Sequence, residues 1–204
     1  MTRTRIALVA AAAGTLALTG CSALSPNTAA RIGDTRITTS DLDQFARGFC
    51  AYQTAASQPQ SNQVTRSTAL TIMVRSRLGE EFGSGPIDES QISQAVTSVE
   101  PVLTKLSRDE RKEFLDEVRA SVTADQYATN AAVAANGGSQ PADLQSATDQ
   151  IYEEWSKKAD VRLDPRFGEW TGTQAQQASG SLSVAAKKAS DPDASTPAGR
   201  TCSL

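Results

Sequence analysis

Between residues 40 and 160 the apolar positions recur at three- and four-residue spacing, the period of helices that bury one face. Leu42, Phe45, Ala46 and Phe49 make the first stripe. Ser40 is placed to cap it, with Asp41 and Asp43 in a first turn where carboxylates meet the positive end of the helix dipole. The stretch Ser57 to Gln63, with Pro59, breaks that helix. A second is predicted from about Asn62 to Phe82, carrying Val64, Leu70, Met73, Val74, Leu78 and Phe82, and it stops at Gly83-Ser84-Gly85-Pro86. Asp88 or Ser90 caps a third, with Ile92, Ala95, Val96 and Val99 in step, and Pro101 interrupts it. Ser107 caps a fourth, which runs through Phe114, Leu115, Val118 and Val122 to Asn136-Gly137-Gly138, residues suited to a left-handed C-cap. Pro141 opens a fifth, on which Leu144, Ala147, Ile151 and Trp155 form the cleanest stripe of the chain.

Two shorter patterns have the alternation of strands. Ala29-Ala30-Arg31-Ile32 and Thr35-Arg36-Ile37 flank Gly33-Asp34, which predicts a tight hairpin. Val161-Arg162-Leu163-Asp164 alternates and stops at Pro165. The expected fold is therefore mainly α, with about five helices and a small β element formed by an N-terminal hairpin and a C-terminal strand. From Thr171 the composition turns to Ser, Ala, Gln, Thr, Asp and Pro, with few apolar residues to support a core. Residues 29–170 are the expected domain and 171–204 a mostly disordered tail, Ser181-Leu182-Ser183-Val184 being the one stretch suited to dock.

The N-terminus has a different pattern. Arg3 and Arg5 precede an uncharged run from Ile6 to Leu18, and a small residue stands directly before Cys21. That is the layout of a secretory signal peptide, and Leu18-Thr19-Gly20-Cys21 resembles the lipobox of bacterial lipoproteins. The resemblance implies removal of residues 1–20, a diacylglycerol on the Cys21 thiol, a polar tether over 21–28, and a place on the extracytoplasmic face of the cell membrane. An ordinary signal peptide or an N-terminal span with a chance cysteine is the alternative. The run is shorter than the ~20 residues a span needs.

Loss of residues 1–20 would leave 18 Lys+Arg against 23 Asp+Glu, a net charge of −5. That balance argues against a nucleic-acid partner, which needs a basic footprint, and leaves the lipid as the membrane attachment. Aromatic residues make up only 5% of the chain and the mean hydropathy is −0.35, so a small core is expected. The chain has no histidine, which removes the commonest general base and most zinc and copper sites. With Cys21 assigned to lipid, Cys50 and Cys202 remain. Outside the cytoplasm an even remainder suggests one disulfide, stapling the tail to the first helix; two free thiols, with Cys50 buried, are the alternative.

Little else carries chemistry. The carboxylate pairs Asp41/Asp43, Asp109/Glu110 and Glu153/Glu154 suit solvated faces or helix starts, and residues 108–113 mix signs as an exposed helix does. Gly83-Ser84-Gly85 has no preceding strand and no following Gly-Lys-Ser/Thr, so it is not a phosphate loop. No catalytic residue, metal site or cofactor is expected. Trp155 belongs to the core stripe. Trp170 is read as a plug against the helices, with a ligand surface as the alternative.

Two stretches at opposite ends of the domain resemble one family. Residues 30–38 (ARIGDTRIT), followed by Ser40-Asp41-Leu42-Asp43-Gln44, look like the opening of SurA-type chaperone domains, a hairpin leading into a helix that begins Asp-Leu. Val161-Arg162-Leu163-Asp164-Pro165-Arg166-Phe167-Gly168 looks like their closing strand, and Ile87 to Ile92 after the glycine-rich turn also fits. The resemblance spans roughly 29–170. It implies a peptide-binding helical domain that shields unfolded exported chains, with lipid-anchored relatives among the PrsA-type foldases. The parvulin isomerase domain common in the family would need about a hundred further residues and histidine, so isomerase activity is not carried over. The turn also departs, Gly-Asp standing where Asn-Gly is usual. Two functions follow: a non-enzymatic holdase that binds unfolded or extended exported polypeptides, or a structural adaptor lipoprotein that docks one envelope partner. The sequence does not identify the groove residues.

Overall fold

The computed structural model describes Ser25, residues 27–58 and residues 60–176. Within them the chain is mainly helical with a small antiparallel sheet, as its patterning predicts. The hairpin comprises β1 (Thr28–Ile32) and β2 (Thr35–Thr38), paired antiparallel with Ile32 opposite Thr35. Gly33 is the first turn residue, at φ +52°. A two-residue hairpin loop of the II′ kind needs this left-handed value, and glycine adopts it without strain. The Gly33 amide donates to the Ala159 carbonyl at 2.6 Å, tying the turn to the far end of the domain.

Five helices follow: α1 (Thr39–Ala55), α2 (Asn62–Phe82), α3 (Glu89–Val99), α4 (Arg108–Ala135) and α5 (Leu144–Ala159). The short strand β3 (Arg162–Leu163) then pairs antiparallel with β1, giving the order β2-β1-β3. The central strand β1 packs on α2, and Ala29, Ala30 and Ile32 are fully buried. α4 is the spine. Its 28 residues extend about 42 Å at about 1.5 Å per residue, and α1, α2, α3 and α5 all pack on it. The two helices on its flanks approach closely because both offer glycine. A Cβ on Gly48 would lie 2.2 Å from the Phe114 ring, and one on Gly79 would lie 2.3 Å from Ala124 Cβ.

Several helix ends differ from expectation. The N-cap of α1 is Thr38, not Ser40: Thr38 Oγ1 accepts from the Asp41 amide and Asp41 returns the contact to the Thr38 amide, both at 3.1 Å. This reciprocal pair satisfies two backbone donors at once, whereas Ser40 lies inside the first turn. Other caps agree: Asp88, one of the two expected candidates, caps α3, and Ser107 caps α4 as expected, with Glu110 in a second capping box. Pro141 stands outside α5, which Asp143 caps through the Ser146 amide at 3.0 Å. Val64, assigned to the buried face of α2, is 41% exposed because it lies in the first turn, at the rim of the core. The C-terminus of α4 closes as expected. Gly137 and Gly138 are left-handed, and their amides bond the Ala134 and Val133 carbonyls, the crossed pattern of a Schellman end.

The domain boundary placed at 170 falls too early. β4 (Glu169–Trp170) and β5 (Ala175–Gln176) form a second antiparallel pair docked on α2 and α5. Ser67 Oγ donates to the Ala175 carbonyl, and the Ala175 amide donates to Thr71 Oγ1. Arg75 Nε donates to the Thr173 carbonyl, and Ser156 Oγ donates to the Gly172 carbonyl. Trp170 and Ala175 pack on the core, but the hydrogen bonds that hold the segment come from polar side chains on the helices, of which its own composition gave no warning. The rest of the expected tail, with Ser181 to Val184, lies outside the described residues, as do the signal segment and most of the tether.

Candidate functional site

On one side of the bundle α1, the start of α2 and the loop before α4 surround an open cleft of about 540 Å³. That volume is in the range of small-molecule and side-chain pockets. Asp43, Arg47 and Cys50 follow one another along α1 at helical spacing and form one wall. Ala46 and the buried Leu106 supply the apolar floor, and exposed Lys105 stands above it.

Two ion pairs fix the rim. Arg66, on the second turn of α2, pairs with Asp43 through both Nε and Nη2. Arg47 binds Glu110 at 2.9–3.0 Å and joins α1 to the first turn of α4. Glu110 thus does two tasks. The Ser107 hydroxyl and amide, and secondarily Arg47, hold its carboxyl below the usual range. Beneath the rim, Thr65 Oγ1 donates to Gln53 Oε1 at 3.0 Å, so both buried side chains are satisfied. Exposed pairs of this kind contribute only about 0–1 kcal/mol each. Their effect here is to hold the cleft's shape and surround an apolar floor with charge of both signs.

Asp43 and Arg47 also line an adjoining polar cleft of about 680 Å³, reached by Arg36 and by Ser25 near the start of the domain. From the floor of the bundle an aromatic ladder climbs α1. Phe45 stacks on Phe114 at 5.1 Å, Phe49 on Phe45 at 6.3 Å, and half-exposed Tyr52 on Phe49 at 6.3 Å.

Of the residues singled out from sequence, Cys50 lies at this cleft. It is buried and disulfide-bonded, with its partner outside the described residues. Cys21 and Cys202 both lie outside the described residues. Trp155 is buried and meets Tyr152 edge-on at 5.5 Å. Trp170 packs against the core and donates from Nε1 to Ser156 Oγ at 2.9 Å, as a plug does. Ile92 is buried, whereas Ile87 is 37% exposed beside another open cleft, of about 450 Å³, at the start of α3.

Away from the cleft a part-buried polar chain, centred on the buried Tyr152, was invisible in the sequence. Arg75 lies over the Tyr152 ring at 4.6 Å and binds Asp149 at 2.8 Å, while the Tyr152 hydroxyl donates to Asp125 at 2.7 Å. Desolvation is the main cause that raises the phenol of the buried Tyr152, and the carboxyl of Asp125 bonded to it, above their ordinary values. These groups bond one another and the docked β4–β5 segment, which gives them a structural task. Among the described residues no group of three or more Cys, Asp or Glu side chains is arranged to hold a metal ion. No described helix is long and apolar enough to cross a membrane. No family model, curated protein or solved structure matches the chain.

Proposed function

We propose that the chain is a lipid-anchored protein on the extracytoplasmic face of the cell membrane that binds unfolded or extended polypeptides without catalysis, in the manner of a SurA-type holdase. The observation that carries this reading is the α1–α2 cleft: open to solvent, apolar at the floor and ringed by both signs of charge. Such a surface takes up apolar side chains from many sequences, since burial rewards any of them, while the rim accepts polar neighbours of either sign. The closure of β3 onto β1 supports the resemblance, because it brings the two motifs at opposite ends of the domain into one sheet. The lipobox supplies the location. Two acyl chains on Cys21 anchor stably where one would not, and the domain itself then works at the membrane surface.

A photo-crosslinker at Asn62, exposed on the cleft rim, tests the reading in cells. Adducts with many unrelated exported chains are expected. One stoichiometric partner would favour the adaptor lipoprotein instead, and no adduct at all would remove both.

A further inference from the structure

The α1–α2 cleft and the polar cleft beside it carry the opposite sign to the chain. Arg36, Arg47, Arg66 and Lys105 line them against Asp43 and Glu110, a net +2 in a chain of net charge −3. Both carboxylates are committed, Asp43 to Arg66 and Glu110 to Arg47. Arg36 and Lys105 remain. Both are exposed, and neither has an ion pair among the described residues.

The hairpin holds Arg36 there at some cost. Its register sets Arg36 directly opposite Arg31 across β1 and β2, and like charges so placed are destabilising. The turn's own carboxylate serves the other arginine. Asp34 lies 3.9 Å from the Arg31 guanidinium, which also donates to the Gly33 carbonyl at 2.9 Å. Arg36 is left facing a like charge, with its side chain on the polar cleft. A carboxylate at residue 36 would suit the strand pair better, so folding alone does not account for a cation in this place.

We propose that the joined clefts select extended segments in which an apolar side chain is flanked by Asp or Glu. The apolar side chain seats on the floor of Ala46 and Leu106, and the flanking carboxylates meet Lys105 and Arg36. This rests on the polypeptide-binding reading above and names the polypeptides it favours. The clefts adjoin through Asp43 and Arg47, so one extended chain can pass from the apolar floor to the polar side chains of Ser25, Asn27 and Ser40 beside Arg36. Segments of either sign can enter, but basic ones find both carboxylates already paired. The net negative charge of the chain repels acidic segments from afar, yet screening limits that reach to about 8 Å at physiological salt. Within the cleft the local cations decide. An exposed ion pair is worth about threefold in affinity, so two together give about tenfold.

Fluorescence anisotropy with the full chain tests the selection, using short labelled peptides that share a Leu-rich centre and differ only in flanks of Asp, Ser or Lys. The Asp-flanked peptide should bind about tenfold more tightly than the Ser-flanked one. The gap should close at 1 M salt, where the Debye length is about 3 Å. Lys105→Glu and Arg36→Glu should each remove about threefold, and the double variant should favour the Lys-flanked peptide. Arg36→Glu sets a carboxylate opposite Arg31, so it should hold or raise the urea midpoint while binding falls. A lowered midpoint would give Arg36 a structural task and overturn its part in selection. Equal affinity for all three peptides, or a preference that both variants leave intact, would overturn the selection and spare the polypeptide reading. No binding of any peptide would sink that reading and the selection with it. Wild type retained on phosphatidylglycerol vesicles and released by Arg36→Glu, with no peptide preference, would assign the cations to a lipid surface and overturn the proposal.

Discussion

At residue 79 a methyl group has no room. Alanine is better than glycine in a helix by about 1 kcal/mol, and on an exposed helix Gly79→Ala would stabilise. Here the new Cβ would sit 2.3 Å from Ala124 Cβ and 2.6 Å from Ala124 Cα. Backbone cannot swing aside as a long side chain does, so α2 and α4 must separate. Overpacking of this kind costs about 1–3 kcal/mol, and Gly79→Ala is expected to lower the urea midpoint against its propensity. A raised midpoint would mean that the helices are less tightly apposed than described. Glu117 provides a second test. It is 7% exposed, pairs through Oε2 with Arg77 at 3.0 Å, and has no hydrogen bond to Oε1 among the described residues. Burial raises its carboxyl above the ordinary 4.5, with Arg77 opposing. A raised carboxyl gives stability that is present below the unfolded value and lost as pH rises through the folded one. Whatever constant offset Glu117→Gln introduces by weakening the Arg77 pair, its stability relative to wild type should therefore rise from pH 4 upward until the wild-type carboxyl has ionised. Parallel stability curves for the two proteins would contradict this.

Elements were legible where one face is apolar and obscure where polar groups decide. The stripes of Leu42 to Phe49 and Leu144 to Trp155 are written at helical spacing, and burial drives both, so the helices follow from the pattern alone. Their ends do not. Thr38 outranks Ser40 as a cap because Asp41 stands three residues beyond it and can close the box, a choice made by geometry at the end of β2. The β4–β5 segment was missed for a related reason: Ser67, Thr71 and Arg75 hold it across about a hundred residues and Ser156 holds it from α5, and none of them advertises its partner. Ser156 is the key to that docking, since it accepts from Trp170 Nε1 and donates to the Gly172 carbonyl. Removing it leaves both partners unsatisfied at a cost of about 1–3 kcal/mol. Ser156→Ala should speed proteolysis after Trp170 and move its fluorescence to longer wavelength while the helical circular dichroism holds. Cleavage and emission equal to wild type would show that apolar packing of Trp170 alone suffices. The cleft was the least legible part of all. Its walls come from three elements, and nothing in the spacing of Asp43, Arg66 or Glu110 says that each meets a cation or carboxylate of another helix.

At the scale of the whole molecule, Ser25, the first described residue, lines a polar cleft that adjoins the α1–α2 cleft through Asp43 and Arg47. The Thr28 amide bonds the Ser25 carbonyl at 2.8 Å and the Thr39 amide bonds the Asn27 carbonyl at 2.9 Å, so the fold takes hold well before the end of the expected tether. With lipid on Cys21, only residues 22–24 would separate the anchor from Ser25, a reach of about 14 Å at about 3.5 Å per step. The cleft would then face, or lie close beside, the membrane that exported chains leave. Cys21→Ala is expected to abolish membrane fractionation, and unmodified protein that still sediments with membranes would contradict the anchor. The central claim is uptake of unfolded polypeptide without catalysis, and light scattering tests it most directly. The full chain, mixed at near-stoichiometric ratio with a chemically unfolded protein diluted out of denaturant, should suppress the rise in scattering. It should leave Xaa-Pro isomerisation at its uncatalysed rate of tens to hundreds of seconds. Scattering that rises as it does without the protein, or measurable acceleration of isomerisation, would contradict the account.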